Sequence, residues 1–173
     1  MSNELFKNKY RIKSARATWC KYNEGKYFIT ICTKDKTPFF GKISEQNMIL
    51  SDIGKIAAEC MTDLLKHFHN ITIPYYVVMP NHVHLIIIIS EPEVIESIGP
   101  SITTTKQNCN KLSVIIGNYK ASVTRRARDL SNGFGWQSRF HDHIIRDEKE
   151  MAYIANYIQN NIYSWAQDRY FGE

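Results

Sequence analysis

Two apolar runs rich in β-branched residues, Ile73 to Met79 and His82 to Ile89, are separated only by Pro80-Asn81. Runs of this kind read as strands, and so short a break between them reads as a hairpin. Neither is long enough to span a bilayer. Side chains alternate along a strand. Val83, Leu85, Ile87 and Ile89 therefore share one face, which is expected to contact the first two helices. His82 and His84 share the other face, roughly 7 Å apart by the strand rise.

The flanking sequence supplies the remaining elements. Lys26 to Thr33 reads as a strand and residues 34–50 as a loop or short hairpin. Ser51 and Asp52 are helix-starting residues. The apolar positions from Ile53 to Phe68 recur at three and four, which predicts an amphipathic helix ending near Asn70. Residues 90–109, rich in Ser, Thr, Pro and Glu, are expected to form a mobile loop. Leu112, Ile115, Ile116, Tyr119, Val123 and Ala127 mark a second helix with a basic outer face. Arg139 to Arg146 is a fourth strand. Asp147, with Glu150 three residues on, resembles a capping box opening a third helix through Tyr157, Ile158 and Asn161. Strand, helix, strand, strand, helix, strand is the α+β, ferredoxin-like (RRM-like) order of a four-stranded antiparallel sheet. The C-terminal helix is an addition to it. The expected organisation is one domain over 1–173, with residues 1–25 as a basic arm.

Composition narrows the function. A 173-residue chain that is 43% hydrophobic can bury a real core and is not disordered. Cys20, Cys32, Cys60 and Cys109 form no CxxC or zinc-like spacing. No charged-then-apolar leader opens the chain, so reduced thiols in a cytoplasm, and no membrane, are the expectation. The net charge of +5 is modest. It is concentrated in two segments, one from Lys7 to Lys21 and one from Lys111 to Arg128, a distribution that favours a polyanionic partner.

All six histidines fall in HxH pairs. His67 and His69 sit at a helix end, where i and i+2 do not share a face, and read as surface residues. His141 and His143 lie on one face of a strand, where packing or phosphate contact is the simpler reading than metal ligation. For His82 and His84, spacing alone does not choose between a metal pair and hydrogen-bonded core histidines. Tyr153, Tyr157 and Asn161 are spaced by four along one helical stripe, where tyrosines are ordinarily core residues.

Three ordered motifs carry a resemblance. Pro80-Asn81-His82-Val83-His84 resembles the HUH motif of the IS200-like and REP-associated tyrosine transposases. Trp136 to Asp147 resembles the segment that precedes their catalytic helix, and Tyr157-Ile158-Gln159-Asn160-Asn161 resembles their nucleophile motif. Phe40-Gly41, Leu50 to Gly54 and Tyr119 to Arg125 fit the REP-associated branch, so the match spans about residues 10–165. Ile162 stands where the family usually has proline, and the helix is expected to run on through Tyr163 and Trp165.

The resemblance implies cleavage and rejoining of single-stranded or hairpin DNA through a 5′-phosphotyrosine on Tyr157. A divalent ion, Mg²⁺ or Mn²⁺, would be held by His82, His84 and Asn161. Lys120, Arg125 and Arg126 would grip the DNA backbone, joined by Arg139 and by Arg11, Lys13 and Arg16 of the arm. His143 and Trp136 are accessory candidates. Trp136 and Tyr119 could stack bases, with core packing as the alternative. IS200-type enzymes are dimers with shared active sites, whereas REP-associated relatives can act as monomers. Two other readings stand beside this one. The first is a DNA- or RNA-binding relative without catalysis. The second is a hydrolase using water, with His82, His84, His141 and His143 as ligands and Asp142 as base.

Overall fold

The computed structural model describes residues 24–90 and 111–168. Arg11, Lys13, Arg16 and the rest of the arm through residue 23 lie outside the described residues, as does nearly all of the expected 90–109 loop. The elements are β1 (Gly25–Cys32), β2 (Gly41–Ser44), β3 (Asn47–Leu50), α1 (Asp52–His67), β4 (Ile71–Val78), β5 (His82–Ile89), α2 (Lys111–Ala127), β6 (His141–Ile145) and α3 (Glu148–Asn160). Four strands form one antiparallel sheet in the order β4-β5-β1-β6. With α1 and α2 as crossovers this is the ferredoxin-like α+β arrangement that the order of elements predicts. The β2–β3 hairpin fills the interval between β1 and α1.

The alternation along β5 sorts the two sides of the sheet. Val83, Leu85, Ile87 and Ile89 pack with Ile29 and Ile31 of β1 against Ala57, Met61 and Leu64 of α1 and Leu112, Ile116 and Val123 of α2. Each such aliphatic side chain contributes about 1.5–3 kcal/mol when fully buried. Tyr119 is buried in the same layer, where its hydroxyl donates to the carbonyl of Ala57 at 3.1 Å. It is a core residue, not a stacking platform. At the start of α1 the Ser51 hydroxyl accepts from the Gly54 amide at 3.0 Å, the ordinary N-cap contact. Gly54 has to be glycine, because a Cβ there would stand 2.1 Å from the carbonyl oxygen of Phe40.

The opposite face of the sheet is covered by α3. Ile154, Ala155 and Ile158 pack on Ile86 and Ile145, flanked by Phe28, Tyr75, Val77 and Ile88. The helix is tied down at its N-terminus. Asp147 Oδ1 accepts from the Glu150 amide at 2.8 Å, and Glu150 Oε2 accepts from the Arg146 amide at 2.8 Å. The Asp147 half of the expected capping box is in place, and only the reciprocal bond is displaced, from the Asp147 amide to that of Arg146. Glu150 Oε1 also meets His143 Nε2 at 2.6 Å, and Glu148 pairs with Lys26.

The expected run of this helix through Tyr163 and Trp165 does not occur. It ends at Asn160 without help from proline. The Asn161 amide bonds back three residues to Ile158 at 3.3 Å, the Ser164 hydroxyl donates to the Asn160 carbonyl at 3.0 Å, and a 3₁₀ turn follows at Trp165–Gln167. The side chain of Asn161 is held elsewhere, as described below. Among the described residues no helix is long and apolar enough to cross a membrane.

Candidate metal and nucleophile site

His82 and His84 stand on the α3 side of β5, both essentially inaccessible to solvent, with ring centroids 4.4 Å apart. Neighbours hold each ring by its Nδ1. Asn81 Oδ1, which can only accept, lies 2.8 Å from His82 Nδ1. That requires the tautomer with a proton on Nδ1 and leaves Nε2 as the basic nitrogen. Asn81 is itself fixed. Its Nδ2 donates to the carbonyl of Lys36 at 3.1 Å, and its carbonyl accepts from both the amide and the hydroxyl of Thr33. His84 Nδ1 lies 2.8 Å from the Thr30 hydroxyl on β1. Thr30 is the cross-strand partner of His84, so the sheet register places this contact. Outer partners of this kind orient the imidazoles of metal sites.

The third helix brings Tyr157 and Asn161 to the same place. The Tyr157 hydroxyl lies 3.3 Å from His84 Nε2 and donates to Asp168 Oδ2 at 3.0 Å. Its ring packs edge-on against Phe28 and obliquely against His84. Asn161 Nδ2 donates to the same Asp168 oxygen at 3.0 Å. Asn161 Oδ1 is buried and accepts no hydrogen bond from the described residues. A buried amide oxygen left in that state is costly and is suited to a cation. His82, His84 and Asp168 each offer one ligand atom, all within 4.8 Å of one another, the one such group of His, Cys, Asp and Glu among the described residues. Two imidazoles, an amide oxygen and a carboxylate fit a divalent ion of the Mn²⁺ or Mg²⁺ class. Trp165 closes the site beside His82, with ring centroids 5.9 Å apart.

Two members of this constellation escape sequence reasoning. Asp168 lies beyond the helix in a non-periodic turn, and nothing in its spacing marks it. Asn81 does carry a signal, since it directly precedes the first histidine, but its value is that of an orienting group.

The other predicted residues are distributed as follows. Lys120 is half-buried and donates to the carbonyl of Gln137 at 2.6 Å, and burial lowers its amine below the ordinary lysine range. Arg125 and Arg139 are exposed. Arg126 is turned toward α1, where it pairs with Glu59 and lies 3.6 Å from Asp63. Trp136 packs against Phe40, Phe134 and Tyr119 and donates to the Lys120 carbonyl at 3.2 Å, which is the core alternative. His143 is engaged by Glu150, and neither His141 nor His143 joins the metal group. A four-histidine hydrolase site is therefore not assembled. His67 and His69 are exposed. Tyr153, on the expected stripe, is 76% exposed and stands outside the site.

No family model matches the chain. A protein of Haemophilus influenzae described as uncharacterized is 38% identical over 160 residues, covering 86% of each chain. The two proteins belong to one family. Among solved structures, the REP-associated tyrosine transposase bound to a REP hairpin superposes with a TM-score of 0.59 at 18% identity, over 91% of this chain and 77% of that one. The chain has the fold of that transposase. In this chain the helix after β6 lies across the sheet and carries Tyr157 to the histidine pair.

Proposed function

We propose that the protein cleaves and rejoins single-stranded DNA, with Tyr157 as the nucleophile and a divalent metal at His82, His84 and Asn161, as in the transposases whose fold it shares. The reading is carried by one observation. The Tyr157 hydroxyl stands 3.3 Å from His84 Nε2 although 73 positions separate the two residues.

A bound divalent ion supplies Lewis-acid polarisation of the scissile phosphate. The chain supplies the rest. Tyr157 attacks phosphorus, a Tyr157 Oη–P bond forms, and the P–O3′ bond breaks. The proton shed by the phenol balances the one taken up by the departing 3′-oxygen. The product is a 5′-phosphotyrosine, and attack by another 3′-hydroxyl reverses the step and rejoins strands. A phenol of pKa about 10 is a poor nucleophile near neutrality, so its fixed approach to the phosphate matters. Thr30 and Asn81 hold the imidazoles, and burial excludes competing water. Asp168 accepts from the Tyr157 hydroxyl, and that hydrogen bond has to be given up as the phenol oxygen turns to the phosphate. Arg125 and Arg139, both exposed, serve as contacts for the DNA backbone, and the half-buried Lys120 holds the segment before β6 through the Gln137 carbonyl. The neighbouring structure holds a REP hairpin, which makes a hairpin with an unpaired flank the substrate class to test. All the groups of the site come from one chain, which favours a monomer as the working unit.

The test is direct. Labelled hairpin DNA incubated with the protein and Mn²⁺ should yield a covalent adduct on a denaturing gel, absent with Tyr157→Phe. Cleavage without an adduct would point to a water nucleophile. Binding without cleavage would point to a relative that holds DNA but does not cut it.

A further inference from the structure

The paired histidines of β6 are separated in function by the sheet register. Both lie on the α3 side, since His141 pairs with Thr30 and His143 with Phe28. The side chains of Thr30 and Phe28 both reach His84. The Nε2 of His143 meets Glu150 and thereby anchors the start of α3. His141 has a different setting. It is exposed, and it ends a row that crosses the sheet from Val77 through His84 and Thr30 to His141. Two strand spacings, roughly 10 Å, separate the backbones of His84 and His141.

Among the described residues the β6 edge is the least covered side of the site. Over β4 and β5 the site is roofed by α3, through Ile154 and Ile158 on Tyr75, Val77 and Ile86. Beside His82 it is closed by Trp165. At the β6 edge the residues are exposed and cationic or neutral: Ser138, Arg139 and His141. The Lys120 ammonium steadies the carbonyls of Gln137 and Ser138 just before them. Among the described residues this edge is the side of the site that α3 and Trp165 do not cover, and a DNA strand whose scissile phosphate reaches His84 can lie across it on one side of the cut.

We propose that His141 is a substrate-contacting residue, its imidazole donating to a backbone phosphate within two nucleotides of the scissile one. The proposal rests on the strand-cleavage reading above, and the experiment separates the two. A hydrogen bond to a charged group of this kind corresponds to about tenfold in affinity.

Binding is measured without metal in the Tyr157→Phe background, so that no chemistry intervenes. The ligands are hairpins that carry a single uncharged methylphosphonate at each successive position around the cut. His141→Ala is expected to weaken binding of the all-phosphate hairpin about tenfold. The loss should vanish for one methylphosphonate position adjacent to the cut and persist for distant ones, the non-additivity that marks a direct partner. His141→Gln, which keeps a donor, should recover part of the affinity. His143→Ala should lower thermal stability without any position-specific loss. Equal losses at every methylphosphonate position, or unchanged affinity in His141→Ala, overturn the proposal while leaving adduct formation by the parent protein intact. A parent protein that neither binds the hairpin nor forms an adduct sinks the underlying reading, and this inference with it.

Discussion

The two imidazoles depend on different neighbours, and this makes their supports separable. Thr30 is buried, and its hydroxyl meets only one nitrogen of His84 among the contacts described above. Thr30→Val keeps the shape and removes that oxygen. The Nδ1 of His84 is then buried without this partner, at a cost of about 1–3 kcal/mol, and the ring loses the contact that aims Nε2. Mn²⁺ affinity should fall about 10–100-fold, the usual effect of deleting an outer-shell partner, as read by calorimetry on the DNA-free protein. Unchanged Mn²⁺ affinity would show that the sheet alone orients His84. Asn161 calls for a separate test, because its Oδ1 is buried and accepts no hydrogen bond from the described residues while its Nδ2 is held by Asp168. Asn161→Asp adds a charge beside Asp168, and without metal the two carboxylates repel. The variant should lose thermal stability in chelator and regain it when Mn²⁺ is added. A melting temperature indifferent to both additions would remove Asn161 from the ligand set. The pairing of His82 with His84 is legible from sequence because a strand has period two. Asn161 is legible only as part of a helical stripe, and that stripe also promotes Tyr153, which the fold leaves in solvent. Asp168 is illegible because the turn that holds it has no period to read.

At the scale of elements, α3 is a lever fixed at one end and engaged at the other. Its N-terminus is held by Glu150, which accepts from the Arg146 amide and meets His143, and by the Glu148–Lys26 pair. The Arg146 amide, followed by the His143 contact, holds the Glu150 carboxyl below its ordinary value of 4.5. A carboxylate whose folded value is depressed contributes stability that is present above its unfolded value and disappears as pH falls through the folded one. The anchoring of α3 should therefore be intact at neutral pH and weaken below about pH 4.5, where the first turn of α3 should show faster amide hydrogen exchange than α1. Glu150→Gln should remove that difference in pH dependence, and a wild-type α3 whose exchange tracks α1 throughout the acid range would count against the anchor. The ends of this helix also show what pattern reading cannot see. Its beginning is announced by Asp147 and Glu150, and only the bond returned by the Glu150 carboxylate is shifted by one residue from the expected box. Its end is announced by nothing local. With Ile162 in place of proline the chain has no covalent reason to stop, and it stops because tertiary contacts at Asn161 and Asp168 outweigh continuation of the helix.

For the whole molecule, the order of strands and helices was readable because each apolar run has one period and the crossovers of a split βαβ arrangement leave few alternatives. What the order does not reveal is the side of the sheet onto which the added helix folds, or whether it folds onto its own sheet at all. That question decides how the site is built. If α3 served a second copy, Tyr157 of one chain would meet the histidines of another. In the described structure the helix packs on its own β4, β5 and β6 through Ile154, Ala155 and Ile158, and its Tyr157 reaches its own His84. Two defective chains test this arrangement without any knowledge of the DNA target beyond a cleavable hairpin. On the proposed mechanism Tyr157→Phe lacks the nucleophile and His82→Ala lacks a metal ligand, so each alone should form no adduct. In a shared-site enzyme, a mixture of the two would recombine one intact site per heterodimer and recover up to about a quarter of the wild-type signal, given random exchange of two-fold-symmetric partners. In a site completed within one chain, the mixture should stay at background at every ratio and concentration, including those at which the wild-type protein cuts fully. Recovery of adduct would mean that α3 leaves its own sheet during the reaction and that the contact between Tyr157 and His84 is a resting arrangement, not the working one.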